Sequence, residues 1–347
     1  MALFNAEPTP IRSKIITFIK FIFFLGLGIV IIWLSLKNLS HDEKSQILKS
    51  FRTANYNWVV VAVILGVFSH FLRALRWKLF FEPMGYHPTV RNMFFAVMIG
   101  YFANLAFPRL GEVTRCGILA KYEKIPFHKS FGTVVTERAL DFLIFIGLFF
   151  LMLFSQLGTI HGYLDKNIYP KLQGKFAGSF SYNLIIFGIL GAFLLAVVLF
   201  FLLRKKIVHT RIYLNGKAIV SGFWEGLKSL GQIRNPVLFV VYSVAIWTLY
   251  FLMLYVIFFC FADTSSLRLG AGLSALVLGS VGIMITPGGI GLYPAIIQET
   301  LMLYGVANTT GLALGWIAWT AQTVMILIFG GVSLLFLSFS KTANEKP

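Results

Sequence analysis

Acidic side chains are scarce in this sequence: 13 Asp and Glu stand against 30 Lys and Arg, and charged residues of both signs fill only 12% of 347 positions. A soluble domain carries about twice that share, so a water-facing globular surface is excluded. Cysteine is almost missing. Cys116 and Cys260 lie far apart with no ligand spacing around them, which argues against both a disulfide framework and a zinc site. The histidines, His41, His70, His87, His128, His161 and His209, are scattered. No His-Glu-x-x-His, no Asp-x-Asp and no glycine-rich nucleotide loop with its lysine occurs. Direct ATP hydrolysis therefore has no motif to rest on, and neither a cofactor nor a metal is expected.

What is present is apolar. Hydrophobic residues make up 58% of the chain and gather in long runs with Lys and Arg between them. The net charge of +17 would suit nucleic acid, but no basic tail or RNA-binding signature accompanies it. Positive segments between apolar runs belong at an anionic membrane face. The expected class is an all-α polytopic membrane protein with no nucleic-acid partner.

Runs 15–36, 58–72, 131–157, 184–203, 237–261 and 312–339 are read as full spans. Arg12 and Lys14 precede the first, and no small-residue cleavage site follows it, so it is expected to be retained. Two further runs behave differently. The run 93–107 is short and stops at Pro108; the run 269–285 stops at Thr286-Pro287 and continues into Gly288-Gly289-Ile290-Gly291. In lipid, backbone that leaves the helix must be buried in protein or line a wet cavity, and two such breaks in corresponding halves point to a transport site. These stretches are read as re-entrant hairpins over 93–120 and 269–304.

Charge counting supports that topology. With six spans, two hairpins and cytoplasmic termini, 21 Lys and Arg face the cytoplasm and 8 the outside, whereas eight full crossings give 16 against 13 at best. The hairpins then enter from opposite faces. The expected fold is one transmembrane domain over 1–347 built as an inverted repeat, with one half at about 57–157 and the other at about 237–340. The segment 204–236 is the most basic connection, an amphipathic stretch on the cytoplasmic surface.

The candidate site residues are the charges and breaks inside these spans. Arg73 and Arg76 share a helical face, either as a basic collar at the membrane edge or as a headgroup-binding pair. Glu112 and Arg115 are also three apart and are expected to neutralise one another beside Pro108 and Gly111. Glu137 and Asp141 lie one turn apart with Arg138 beside them, and intramembrane charges are costly unless paired. The other reading is an internal Arg138 salt bridge that only fixes packing. Pro287, Gly288, Gly289 and Gly291 complete the set. Half-helices beginning after Pro108 and Pro287 are expected to offer free N–H groups to an anion such as a lipid phosphate.

Arg73-Ala-Leu-Arg76-Trp77, Pro108-x-x-Gly111-Glu112-x-x-Arg115, Glu137-Arg138-x-x-Asp141 and Pro287-Gly288-Gly289-Ile290-Gly291, in this order and spacing, resemble the membrane domain of the lysylphosphatidylglycerol synthase/flippase family. The resemblance covers nearly the whole chain. It implies translocation of a phospholipid between leaflets and not the synthase activity, whose soluble domain is expected to be missing. Relatives carry a glutamate shortly after Pro-Gly-Gly where this chain has Tyr293-Pro294, with Glu299 further on.

The expected function is therefore a lipid flippase or transporter, not an enzyme, whose partner is a membrane phospholipid or lipid-linked substrate. The alternative is a membrane glycosyl or phosphoryl transferase acting on a lipid-linked substrate, with the intramembrane carboxylates as acid and base. The expected location is a bacterial cytoplasmic membrane, and a homo-oligomer is compatible with the sequence.

Overall fold

The computed structural model describes residues 37, 40–106, 109–163, 231 and 233–339, and these fold as helices without a strand among them. The runs 15–36 and 184–203, Pro108, most of the basic connection 204–236 and the C-terminal tail lie outside the described residues.

A surface helix α1 (His41–Thr53) opens on a capping box: Ser40 Oγ accepts from Glu43 N, and Glu43 Oε2 accepts from Ser40 N. Ile47 on its inner face is buried. The long apolar helix α2 (Asn57–Lys78) follows. It runs beyond the expected 58–72 because Arg73-Ala-Leu-Arg-Trp-Lys is itself good helix-forming sequence, and it ends before a short turn closed by left-handed Gly85 (φ 79). Next come α3 (Val90–Ala106), α4 (Leu110–Tyr122) and α5 (Phe127–Tyr163). The second half contains α6 (Pro236–Tyr255), the single turn α7 (Ala262–Ser265), α8 (Leu269–Ile285), α9 (Leu292–Met302) and α10 (Asn308–Phe339).

Among the described residues, four stretches are long and apolar enough to cross a bilayer: Asn57–Met84, Phe127–Thr159, Pro236–Cys260 and Asn308–Phe339. Their outer faces expose large apolar side chains such as Ile64, Phe154, Val237 and Ile328, a surface suited to lipid. The protein is a multi-pass membrane protein. By contrast, α3 and α8 have 17 residues each. At 1.5 Å per residue they reach about 25 Å, short of a hydrocarbon core of roughly 30 Å.

Both short helices double back. In the first pair, Gly100 on α3 lies against Gly111 on α4, so closely that a side chain on Gly111 would meet the Gly100 carbonyl. The far ends of the pair are tied by Glu123, which accepts from Thr89 Oγ1 and Asn92 Nδ2, each at 2.6 Å. In the second pair, Gly279 and Gly282 on α8 face Tyr293 and the isoleucines of α9. Tyr304, just beyond α9, meets Ser274 Oγ at 2.7 Å near the start of α8. Each pair is thus an antiparallel unit whose bend and open end lie at opposite extremes.

The pairs point in opposite directions. Helices α2 and α6 are antiparallel neighbours: Asn55 N donates to Cys260 O at 3.0 Å, while at the other end Phe80 packs on Phe239 with ring centroids 5.4 Å apart. The first pair opens where α2 ends and α6 begins, and there Tyr122 Oη donates to Leu337 O at the end of α10. The second pair opens where α6 ends. The bends meet inside the bundle, since Gly288 sits under the Leu105 side chain and its carbonyl accepts from Trp319 Nε1 at 2.8 Å.

Candidate functional site

The charged residues converge where α2, α4 and α5 pack together. Arg73 and Arg76 do not form an exposed collar; they are 3% and 0% exposed. Their spacing of three puts both on one face, and Glu137 and Asp141, spaced by four, present a matching face of α5. Glu137 Oε1 receives Arg73 Nη1 at 3.0 Å and Arg76 Nη2 at 3.1 Å. Asp141 pairs with Arg73 at 2.9 Å and Arg76 at 2.7 Å. The second Glu137 oxygen takes Arg115 Nη2 from α4 at 2.8 Å. Glu137 is fully buried, and three guanidiniums compensate a carboxylate that would otherwise be strongly unfavourable there.

This arrangement corrects one expectation and leaves one alternative without support. Glu112 does not neutralise Arg115, since Arg115 faces Glu137 and stacks over Trp77 at 4.5 Å. Nor does Arg138 pair with the acids beside it on α5. Instead, Glu112 and Arg138 face each other, at 3.6 Å, which is beyond hydrogen-bond distance. The close contact of Gly100 with Gly111 fixes the rotation of α4 so that its successive charges turn toward different partners.

The bends are also less open to an anion than expected. Arg109 adopts a left-handed conformation (φ 66) before α4, and the Gly111 N–H is taken by Asn104 Oδ1 at 2.7 Å. At the second bend Gly288, Gly289 and Gly291 all have positive φ, which glycine alone adopts without strain. There the Leu292 N–H donates to Ile290 O at 2.8 Å, and Pro294 has no N–H to offer. Pro287 and Gly289 are buried. These glycines lie beside Leu105 and Trp319 and outside the ion-pair network, so the residues of the second bend and the charges of the first do not form one cluster. Glu299 is exposed and does not enter the network.

Several neighbours carried no clear signal in the sequence. Tyr250 Oη accepts from Arg73 Nε at 3.2 Å, and Ser243 Oγ accepts from Arg76 Nη1 at 3.2 Å. Tyr250 resembled a packing aromatic and Ser243 an ordinary helix serine. His70 is buried against Tyr101, ring centroids 4.5 Å apart, with no hydrogen-bond partner for either nitrogen. Asn104 did have a signal: an amide just before a proline break is suited to cap the helix that follows.

Among these residues four guanidiniums face three carboxylates, leaving one net positive charge. Beside the network, Tyr101, Asn104, Gly111, Glu112, Arg115 and Arg138, with Val97 and Gly100, line a narrow cleft. Glu112 Oε2, Arg115 Nε and Arg138 Nε have no hydrogen-bond partner there. The arrangement suits transient binding of an anion. The family profile described as "Lysylphosphatidylglycerol synthase TM region" matches residues 18–330.

The chain belongs to the lysylphosphatidylglycerol synthase transmembrane-region family. It is 25% identical to the glycosyltransferase AglD of Haloferax volcanii over 91% of this chain and 54% of that protein. It is 31% identical to a UPF0104 membrane protein of Methanocaldococcus jannaschii over 39% of this chain and 38% of that one. A UPF0104 membrane protein of Methanothermobacter thermautotrophicus is 23% identical over 87% of this chain and 91% of its own length. The chain therefore spans well under two thirds of the first two relatives and most of the third. No solved structure matches.

Proposed function

We propose that this family member translocates lipids, moving the phosphate-bearing headgroup of a phospholipid or lipid-linked molecule between leaflets while the tails stay in the bilayer. The observation that carries this reading is the buried network of Arg73, Arg76, Arg115, Glu137 and Asp141, with Arg138 and Glu112 beside it, where the last turns of α2 and the helix α5 pack against the second leg of the first helix pair. Ionisable groups inside a membrane bundle are costly and mark substrate or ion pathways by default. One surplus positive charge favours an anion.

In this reading both helix pairs are re-entrant, entering from opposite faces, and the described spans join 15–36 and 184–203 to make six. The bends meet near the midplane, where transporters built on inverted repeats bind their cargo. The Lys and Arg bias puts the open end of the first pair, and both termini, on the cytoplasmic side.

A membrane transferase is the second reading, favoured by the relative named a glycosyltransferase. Against it, Glu137 is held by three guanidiniums and Asp141 by two. Neither is free to act as a general acid or base. The deciding experiment is leaflet exchange of fluorescent phospholipids in liposomes holding the purified protein, over a panel of headgroups and with an imposed proton gradient. Accelerated exchange that Arg115→Gln abolishes supports translocation. No exchange of any lipid would shift the reading to the transferase.

A further inference from the structure

The four guanidiniums are not equivalent. Arg73, Arg76 and Arg115 are buried, each with a carboxylate within 3.0 Å. Arg138 has a 40% exposed side chain and, among the described residues, its one ion pair is the 3.6 Å contact to Glu112. The cleft lined by Glu112, Arg115 and Arg138 has room for about one water molecule. A phosphate therefore enters only by displacing something, and the loosest contact yields first. Taking Arg73 or Arg76 from Glu137 would strand a buried charge. Parting Glu112 from Arg138 gives up a long, partly solvated pair, which is weak.

We propose that Arg138 is the anion contact of this protein and that Glu112 is its exchangeable counterion: a ligand phosphate replaces Glu112 on Arg138, and the released Glu112 accepts from a donor group on the same headgroup. The proposal rests on the lipid-handling reading above and assigns its specificity. The three atoms without partners fit this exchange. Arg138 Nε and Arg115 Nε are donors for phosphate oxygens, and Glu112 Oε2 is an acceptor awaiting a hydroxyl or ammonium. Arg73, Arg76 and Glu137 act as the scaffold that holds Arg115 and α5 in position. Tyr101 and Asn104 form the wall, and Asn104 is committed to the Gly111 N–H.

The test is binding rather than transport. Purified protein in detergent is titrated with dioctanoyl phosphatidic acid, phosphatidylglycerol and phosphatidylethanolamine, and with inorganic phosphate to separate a lipid site from a free-anion site. Arg138→Gln is expected to weaken all three lipids about tenfold or more, the scale of one charge-assisted hydrogen bond, and Arg138→Lys to recover part of that loss. Glu112→Gln is expected to tighten phosphatidic acid, because the competing counterion is gone, and to erase any preference for the hydroxyl- or ammonium-bearing lipids. Both positions are partly exposed, so the melting temperature should hold and separate binding loss from misfolding. Weaker phosphatidic acid binding in Glu112→Gln, or unchanged binding in Arg138→Gln, overturns the exchange. Tighter binding of inorganic phosphate than of any lipid also overturns it as a headgroup site. Exchange-pattern binding without leaflet exchange would overturn translocation alone; leaflet exchange indifferent to Arg138 would overturn this proposal alone.

Discussion

Arg115 is bonded to Glu137, 22 residues away on the next long helix, at 2.8 Å, although Glu112 is only three residues away on its own helix. The pair ties the first helix pair to α5. Its two members should therefore be energetically coupled, whereas Arg115 and Glu112 should not. In a double-mutant cycle on thermal stability in detergent, Arg115→Gln with Glu137→Gln should show a coupling of about 0.5–3 kcal/mol. The cycle of Arg115→Gln with Glu112→Gln should be near additive, and coupling there instead would restore the local pair.

Glu137 should be the most destabilising single charge to remove. Three guanidiniums share its two oxygens, so Glu137→Gln leaves buried positive charges facing one another. Breaking a buried pair from one side costs about 3–5 kcal/mol. Asp141→Asn should cost less, since Arg73 and Arg76 keep Glu137 and the Asp141 side chain retains 11% exposure. Equal losses of melting temperature in the two variants would mean that the network is solvated.

The faces of this network were legible because helical periodicity is local. Arg73 with Arg76, and Glu137 with Asp141, follow directly from spacings of three and four. The helix ends at Ala106 and Ile285 were legible too, since proline does not continue a helix and each end is closely followed by one in the sequence. The pairing was not legible. Glu112 and Arg115 have the spacing of a helix pair, but the rotation of α4 is set by the Gly100 and Gly111 contact with α3, which no local pattern encodes. The exposure of Arg73 and Arg76 stayed open in the sequence for a related reason: a cluster of basic residues at the end of an apolar run looks interfacial until its carboxylate partners, more than 60 residues away, are in view.

That contact also predicts a contrast between two glycines on one helix. Gly111→Ala would place a methyl group against the Gly100 carbonyl and Asn104, and both are fixed by the packing. The legs must separate, so the protein should lose stability, by about 1–3 kcal/mol as for other overpacked sites. Gly117, six residues further along α4, has open space where its side chain would be. Gly117→Ala should be neutral or gain up to about 1 kcal/mol from helix propensity. Melting of both variants checks the contrast, and similar losses would argue against a close crossing at Gly111.

The opposed openings of the two helix pairs make the last prediction a matter of side. Lys121 lies near the open end of the first pair and Ala307 beyond the open end of the second, and both are exposed. The native Cys116 and Cys260 are buried, so a single introduced cysteine reports its own position. Around the first opening stand Lys121, Lys124 and Lys129, whereas Arg268 is the basic residue leading into α8. Positive charge is retained on the cytoplasmic side. Lys121→Cys should thus react with a membrane-impermeant thiol reagent only when the cytoplasmic face is exposed, and Ala307→Cys from outside in intact cells. Labelling of both from one side would mean that the bundle does not cross the bilayer along its long axis, and the inverted arrangement would fall with it.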